Sequence, residues 1–512
     1  MSETSSAALG SAFPSGKADS AAWLAVAAGT IGALMATLDT SIVNASLPTI
    51  QGEIGASGAE GTWISTAYLV AEIVMIPMAA WLAQIFGLRS FLLIVTTLFT
   101  GFSMICGVSH DLGQMIFGRI GQGFTGGAMI PMALTIVATR LPPRQQPLGI
   151  ALFGMTAVLG PVLGPVVGGW LTENVSWHYA FFLNLPIGLG LIALLVIGLP
   201  GARTRWEMFA EADLLGIAGL AMGLGGLTIV LEEGQRERWF ESQFIWSLSL
   251  VSVMGFLLLV AGQAFSRRPV IQLKILFERS FGSVFLMSLM VGAALYSILY
   301  IIPQFLTLVA GYNAEQSGDV TMISGIPTII MLAFFPILVR LIDLRLAIAF
   351  GLLLYGISCF LDVGLTAASA GPQFFSSQVL RGFAQFFSML FLNQAATTSV
   401  AHELAEDASG LFNAARNLGG SVGLAAVGAL QEQRTDFHAA RIAESISGNS
   451  VIGQTAVAVQ GVGALNDQIQ GQATVMAFAD LYWVFGFALI LMIPLVLLLK
   501  PLPKDASVSL AA

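Results

Sequence analysis

The sequence predicts an all-α integral membrane protein with fourteen transmembrane helices in a 6+2+6 arrangement and both termini in the cytoplasm. Three observations carry this: a composition too apolar for water, a count of helix-length apolar runs, and a one-sided distribution of positive charge. Only 10% of the 512 residues are charged, 56% are hydrophobic, and mean hydropathy is +0.84. Soluble domains carry about a quarter charged residues. A water-soluble chain of this length could not cover so much apolar surface with so few charges. The net charge of −8 and the absence of a long Lys/Arg run exclude nucleic acid as a partner. Cys106 and Cys359 lie in separate apolar stretches, which excludes a disulfide framework or a thiolate zinc site. His110, His178, His402 and His438 are too scattered for a haem pair or a histidine metal cluster.

About 20 apolar residues in helical form cross a bilayer core. Fourteen segments qualify: 23–47, 62–83, 91–109, 114–137, 147–170, 180–199, 214–231, 243–263, 281–303, 317–339, 344–364, 374–398, 410–430 and 479–499. The run 214–231 is short, and Pro327 and Pro336 interrupt 317–339. Residues 1–22 form a small, polar tail with Lys17 as its one positive charge and no apolar core of its own. The first span is therefore expected to serve as its own uncleaved signal.

Alternating the spans from a cytoplasmic N-terminus puts fourteen positive residues inside: Lys17, Arg89, Arg140, Arg144, Arg203, Arg205, Arg267, Arg268, Lys274, Arg279, Arg340, Arg345, Lys500 and Lys504. Only Arg236, Arg238, Arg434 and Arg441 fall outside, and three arginines lie within spans. Positive charge is retained on the cytoplasmic side, so the bias sets the orientation. It also supports the count, because a missed span would invert the bias downstream.

A repeat lies inside the pattern. Span 4 contains Arg119-Ile-Gly-Gln122 and span 12 contains Arg381-Gly-Phe-Ala-Gln385. Span 5 has Leu152-Phe153 followed by Gly160 and Gly164, and span 13 has Leu411-Phe412 followed by Gly419 and Gly423 at the same offsets. Residues 23–199 and 281–500 are thus two related six-helix bundles. Residues 200–280 form a linker with two extra spans, and 501–512 form a cytoplasmic tail. Transporters built from parallel repeats place their site near the midplane between the halves.

Ionisable groups within spans are costly and are functional candidates by default. Asp39 in span 1 and Arg119 in span 4 fall at matching depths in the outer half, counting about 1.5 Å per residue, and can pair across the bundle. Glu72 in span 2 sits near mid-membrane without an obvious basic partner, as suits a carboxyl that takes up and releases protons. The alternative readings are a structural ion pair and a helix-to-helix hydrogen bond. Arg381 and Arg416 have no obvious acid beside them, while Asp362, Asp480 and Asp319 lie near span ends where water is close. In span 5, Gly160, Gly164 and Gly168 recur every four residues as one smooth face, and Pro161 and Pro165 each remove a helix hydrogen bond. A kinked, close-packed helix suits a pivot or a seal between rocking halves.

Several stretches resemble one family. Leu38-Asp-Thr-Ser-Ile-Val-Asn-Ala-Ser-Leu-Pro48 resembles the first-span motif of drug:proton antiporters of the major facilitator superfamily. Arg119-Ile-Gly-Gln-Gly123 with Gly126-Gly-Ala128 is similar to the fourth-span motif, whose arginine the family assigns to proton coupling. Gly164-Pro-Val-Val-Gly-Gly169 resembles the antiporter signature of span 5. Trp177-His-Tyr-Ala-Phe-Phe-Leu-Asn-Leu-Pro-Ile-Gly188 resembles the segment entering span 6, with histidine where arginine is usual. The count of fourteen narrows the resemblance to the EmrB/QacA branch. The loop between spans 2 and 3 departs from it: Gly87 and Arg89 are kept, but Gln84 replaces an aspartate and Ala80 a leading glycine.

The resemblance implies a major facilitator fold and a proton-coupled exporter of hydrophobic or amphipathic drugs in a cell membrane, the inner one in a Gram-negative host. Asp39 and Arg119 would serve proton coupling, and Gly164, Pro165, Gly168 and Gly169 the antiporter motif, to which the four-residue glycine spacing and paired prolines of span 5 add Gly160 and Pro161. In Gram-negative bacteria such pumps work with a periplasmic adaptor and an outer-membrane channel. The long outer segment 431–478, with no run able to span and Val462, Leu465 and Ile469 on one face if helical, is compatible with such a partner. From the residues themselves come Glu72 and a set of polar or aromatic cavity candidates: Tyr68, Gln122, Asn184, Tyr296, Tyr300, Gln304, Arg381 and Gln385. No phosphate-binding loop occurs, so a proton gradient is the expected energy source and no cofactor is expected. One proton crossing a potential of about 150 mV releases about 3.5 kcal/mol. The rivals are a dedicated exporter or symporter of one physiological solute, a membrane enzyme, which would need a catalytic constellation not found here, and a channel, which would need a filter or charged ring.

Overall fold

The computed structural model describes residues 18–142, 144–201, 204–210, 212–266, 269–401, 404–445 and 451–499. The expected tails, apart from residues 18–22, and the charges Lys17, Arg203, Arg267, Arg268, Lys500 and Lys504 lie outside the described residues, as does His402. The described residues form helices joined by turns and short irregular links, without a strand. The main helical units are α1 Ser20–Glu53, α2 Trp63–Phe86, α3 Leu88–Gly107, α4 Leu112–Arg140, α5 Gln146–Asn174, α6 His178–Gly198 and α7 Leu214–Glu233. They continue with α8 Gln243–Phe265, α9 Arg279–Leu308, α10 in three pieces (Ala314–Met322, Gly325–Leu332, Phe335–Leu341) and α11 Leu344–Leu361. Last come α12 (Phe375–Gln385, a π-helical turn Phe386–Leu390, then Phe391–Thr398), α13 Ala405–Ser445 and α14 Val451–Leu491.

Local chemistry sets the ends and breaks. Asp19, Asp111, Asp213, Asn313 and Asp343 each cap a helix start, accepting from the backbone N–H of Ala22, Gln114, Gly216, Gln316 and Arg345. Gly87 ends α2 with φ of +76°, a left-handed conformation open to glycine without strain. α10 breaks ahead of Pro327 and again ahead of Pro336, and its last piece turns away by 67°. α5 bends by 41° just after Pro161.

Ten of the described helices are long and apolar enough to cross a membrane, or twelve if the bent α5 and α10 each count as one. The other two expected spans coincide with α12 and α13. The π-helical turn Phe386–Leu390 divides α12 into pieces too short to count alone, and buried Arg416 with its polar neighbours lowers the apolar content of α13.

The segment 431–478 is not the loop the sequence suggested. α13 runs unbroken to Ser445 and α14 begins at Val451, each 41 residues long. At 1.5 Å per residue that is about 60 Å, twice a bilayer core. Gln, Glu, Arg and Asp made the segment too polar to span, but Gln, Glu and Arg, with the many alanines among them, are strong helix formers. Asp480 of α14 ties the pair together, accepting from Arg434 at 2.5 Å and lying 2.7 Å from His438 of α13. Val462 is exposed.

α1 to α6 pack mainly among themselves, as do α9 to α14. Glycine seams set the closest approaches. A Cβ on Gly164 would meet Ser41 Cβ of α1 at 2.1 Å, and one on Gly160 would meet Thr37 Oγ1 at 2.6 Å. In the other group, Cβ atoms on Gly419 and Gly423 of α13 would meet the Leu289 and Ala293 carbonyls of α9 at 2.0 and 2.5 Å. The glycines at matching offsets thus occupy matching seams. α7 and α8 close on each other at Gly219, Gly223 and Gly255, and α7 also packs against α2 and α13, one from each group. Gly164→Val should force the α1–α5 seam apart and cost about 1–3 kcal/mol, read as a lower melting temperature of the detergent-solubilised protein. Gly169→Val, where no atom lies within 4 Å, should leave it unchanged.

Candidate functional site

The deepest polar group is built around Asp39. Gly123 and Gly127 bring α4 so near α2 that Cβ atoms there would strike the carbonyls of Tyr68 and Glu72, at 2.2 and 2.6 Å. That approach carries Arg119 of α4 into the space between α1 and α2. Arg119 NH1 donates to Asp39 Oδ2 at 2.6 Å, and both side chains are fully buried. The guanidinium also donates from Nε to the Ile64 carbonyl at 3.1 Å and lies 4.2 Å from the Tyr68 ring centroid.

The second carboxylate oxygen has two donors of its own. Gln122 Nε2 reaches Asp39 Oδ1 at 2.9 Å, and Asn184 Nδ2 reaches it at 2.6 Å. Gln122 Oε1 accepts from Arg119 NH1 at 3.0 Å and from Cys106 Sγ at 3.3 Å; Asn184 lies 2.8 Å from Ser103 Oγ. Asp39 therefore holds one arginine and two amides from two other helices, α4 and α6, an arrangement that answers a buried carboxylate in full.

A second feature lies between the two helix groups: a cavity of about 790 Å³, its mouth included, with a mainly apolar wall. Glu72 of α2, Glu232 of α7 and Arg416 of α13 line it, along with Thr37, Thr40, Ser41, Tyr296, Asn417, Ser421 and Pro161. Glu72 is 7% exposed and hydrogen-bonds to no described residue. Arg416 is 5% exposed, and its Nε and NH1 have no hydrogen-bond partner among the described residues. Glu232 accepts from Ser421 Oγ at 2.7 Å.

The sequence candidates divide accordingly. Tyr296 lines the cavity, whereas Gln122, Asn184 and Tyr68 belong to the Asp39 group and are fully buried there. Tyr300 is half-exposed on the outside of α9, its hydroxyl accepting from Gln304 Nε2 at 3.3 Å. Gln385 and Arg381 of α12 do not line this cavity. Arg381 does have an acid: its NH2 donates to Asp362 Oδ2 at 2.7 Å, and Asp362 is buried rather than hydrated at a span end. The short turn Asp362–Gly364 folds that residue back against α12. Glu72, too, shares its cavity with a base, Arg416, which linear depth counting did not bring together with it.

Gly160, Gly164 and Gly168 face α1, Pro161 faces the cavity, and Pro165 is exposed. Sequence reasoning missed Glu232 and Glu233, which it left just beyond span 7; the helix includes both. The signal was there in a charged pair that follows an apolar run without a turn residue before Gly234. Among the described residues no three His, Cys, Asp or Glu side chains are grouped to hold a metal ion.

Comparison with known proteins gives consistent matches. The family model described as Major Facilitator Superfamily matches residues 29–424. The chain is 33% identical over 429 residues to the colistin resistance protein EmrB of Acinetobacter baumannii, covering 83% of each chain. It is 29% identical over 491 residues to the multidrug export protein EmrB of Escherichia coli K12, covering 92% of this chain and 94% of that one. Among solved structures, the human organic anion transporter MFSD10 (TETRAN) superposes with a TM-score of 0.58 at 15% identity, covering 91% of this chain and 99% of that one.

If the Asp39–Arg119 contact is a fully desolvated pair, Asp39→Asn should leave a buried charge unanswered and cost about 3–5 kcal/mol, measured by thermal unfolding in detergent. Adding Arg119→Gln should recover most of that loss. An Asp39→Asn protein as stable as the parent would mean that water reaches the pair.

Proposed function

Because the chain belongs to the Major Facilitator Superfamily, we propose that it is a proton-coupled efflux transporter that exports hydrophobic or amphipathic drugs and toxic compounds by alternating access. It is a multi-pass membrane protein and a transporter, not an enzyme. The observation that carries the export reading is the similarity over most of the chain to proteins named for multidrug export and colistin resistance. A cavity between the two helix groups, with a mainly apolar wall and a few charged groups, supports it.

In this reading fourteen spans form two six-helix bundles, 23–199 and 281–500, with the pair in 200–280 between them and both termini cytoplasmic. Asp39 and Arg119 couple the proton, with Gln122 and Asn184 fixing the carboxylate, and Glu72 links the proton to the cavity. Protonation of Asp39, Glu72 or both favours one facing state, and cargo favours the other. The Gly160–Gly169 stretch of α5 keeps the seam with α1 tight while the halves rock. In a host with two membranes, the projecting ends of α13 and α14 offer a periplasmic adaptor, and through it an outer-membrane channel, a place to dock.

The test is transport in liposomes with an imposed pH gradient, an internal pH dye and a panel of lipophilic cations and weak acids. Substrate-triggered proton movement is expected, and it should be absent from the paired variant Asp39→Asn/Arg119→Gln although that protein folds. Glu72→Gln should alter the pH profile of transport, and an unchanged profile would return Glu72 to a packing role. Response to one compound class alone would favour a dedicated exporter or symporter of a single solute. No response from the folded parent would overturn the multidrug reading.

A further inference from the structure

The extra pair α7–α8 reaches the cavity that cargo would occupy. Two consecutive acids at the end of α7 point to different neighbours, since successive residues stand about 100° apart around a helix. Glu233 turns to α2, accepting from Thr66 Oγ1 at 3.0 Å, and pairs with Arg236 at 2.7 Å. Glu232 turns to α13 and the cavity, where Ser421 donates to it. Glu233 is thus neutralised from the turn that follows its helix, whereas Glu232 has no ion pair with a described residue.

The charge balance of the cavity follows. Facing Glu232 are Glu72 from α2, Arg416 from α13 and Tyr296 from α9; α8 carries no ionisable side chain. With both carboxyls ionised, two carboxylates and one guanidinium leave one negative charge in excess, and none of the three forms an ion pair with a described residue. A net charge enclosed by apolar side chains inside a membrane is costly. One positive charge, a proton or a cation, would remove it. The remaining wall, with Leu69, Leu295, Leu299 and Leu424, suits an apolar body around that charge.

We propose that Glu232 is a cargo-binding carboxyl, through which the extra helix pair makes the cavity selective for amphipathic organic monocations exchanged against one proton. The assignment rests on the transport reading above. Binding to the full-length protein in detergent tests it, with tetraphenylphosphonium as the cation and tetraphenylborate as an anion of similar shape. The parent is expected to prefer the cation, to release a proton on binding it, and to bind it more weakly as pH falls. Glu232→Gln should weaken cation binding by about tenfold or more and erase the preference over the anion. Glu241→Gln, which removes an equal charge from the exposed tip of the same hairpin, should leave affinity within about twofold.

Equal loss of both probes in Glu232→Gln would make the Ser421 contact structural and overturn the proposal. So would unchanged cation affinity, or a parent that prefers the anion. If Glu232→Gln leaves binding intact while substrate-triggered proton movement persists in liposomes, the transport reading stands and Glu232 falls. If cation binding depends on Glu232 but no substrate moves protons, the site stands and the coupling falls.

Discussion

A carboxylate enclosed among helices in a membrane has to be answered by donors brought from elsewhere in the chain, and the Asp39 site is organised by that demand. Each oxygen of Asp39 is met separately, one by Arg119 and the other by Gln122 and Asn184. Those donors stand on α4 and α6, so α1, α4 and α6 must hold their relative rotation to keep the set complete. Close approach of backbones makes this possible. The glycines of α4 that face Tyr68 and Glu72 remove side-chain thickness where Arg119 has to reach across. Packing and charge burial are here one constraint, because widening the seam would withdraw the arginine.

The same economy of small residues recurs where α5 meets α1 and where α13 meets α9. Between the two groups the construction differs. The boundary carries a cavity, an Arg416 whose Nε and NH1 meet no partner among the described residues, and polar links such as Arg340 NH2 to the Arg144 carbonyl and, by way of α7, Ser421 to Glu232. Dense seams within each group and a cavity-bearing boundary between them are what a protein needs if each group is to move as a unit.

Much of this was legible in the sequence. The apolar runs located nearly every helix, and the proline positions foretold the breaks in α10. Depth counting along single helices matched Asp39 to Arg119, because both stand a similar distance from the ends of straight spans. The same counting failed for Asp362 and Arg381, since a 3-10 turn after α11 moves Asp362 off the helical register. Gln122 and Asn184, proposed for the cavity wall on polarity, bind Asp39 instead: linear sequence fixes how deep an amide sits but not which way its helix is turned. The segment 431–478 was misread because lack of apolar length was taken as lack of helix, and helix propensity does not require hydrocarbon. Glu232 was overlooked because the apolar run ended one residue before it.

The two longest helices have a mechanical side. α13 carries Arg416 and Ser421 in the cavity wall and then continues without interruption to Ser445. From Ser421 to Ser445 the helix is about 36 Å of stiff rod. A tilt of about 5° at the cavity would sweep its far end through about 3 Å. α14 runs beside it and is pinned to it at Asp480, so the two form a braced pointer rather than a loose whisker. Small rearrangements around a buried charge would therefore be enlarged at the far ends of these two helices.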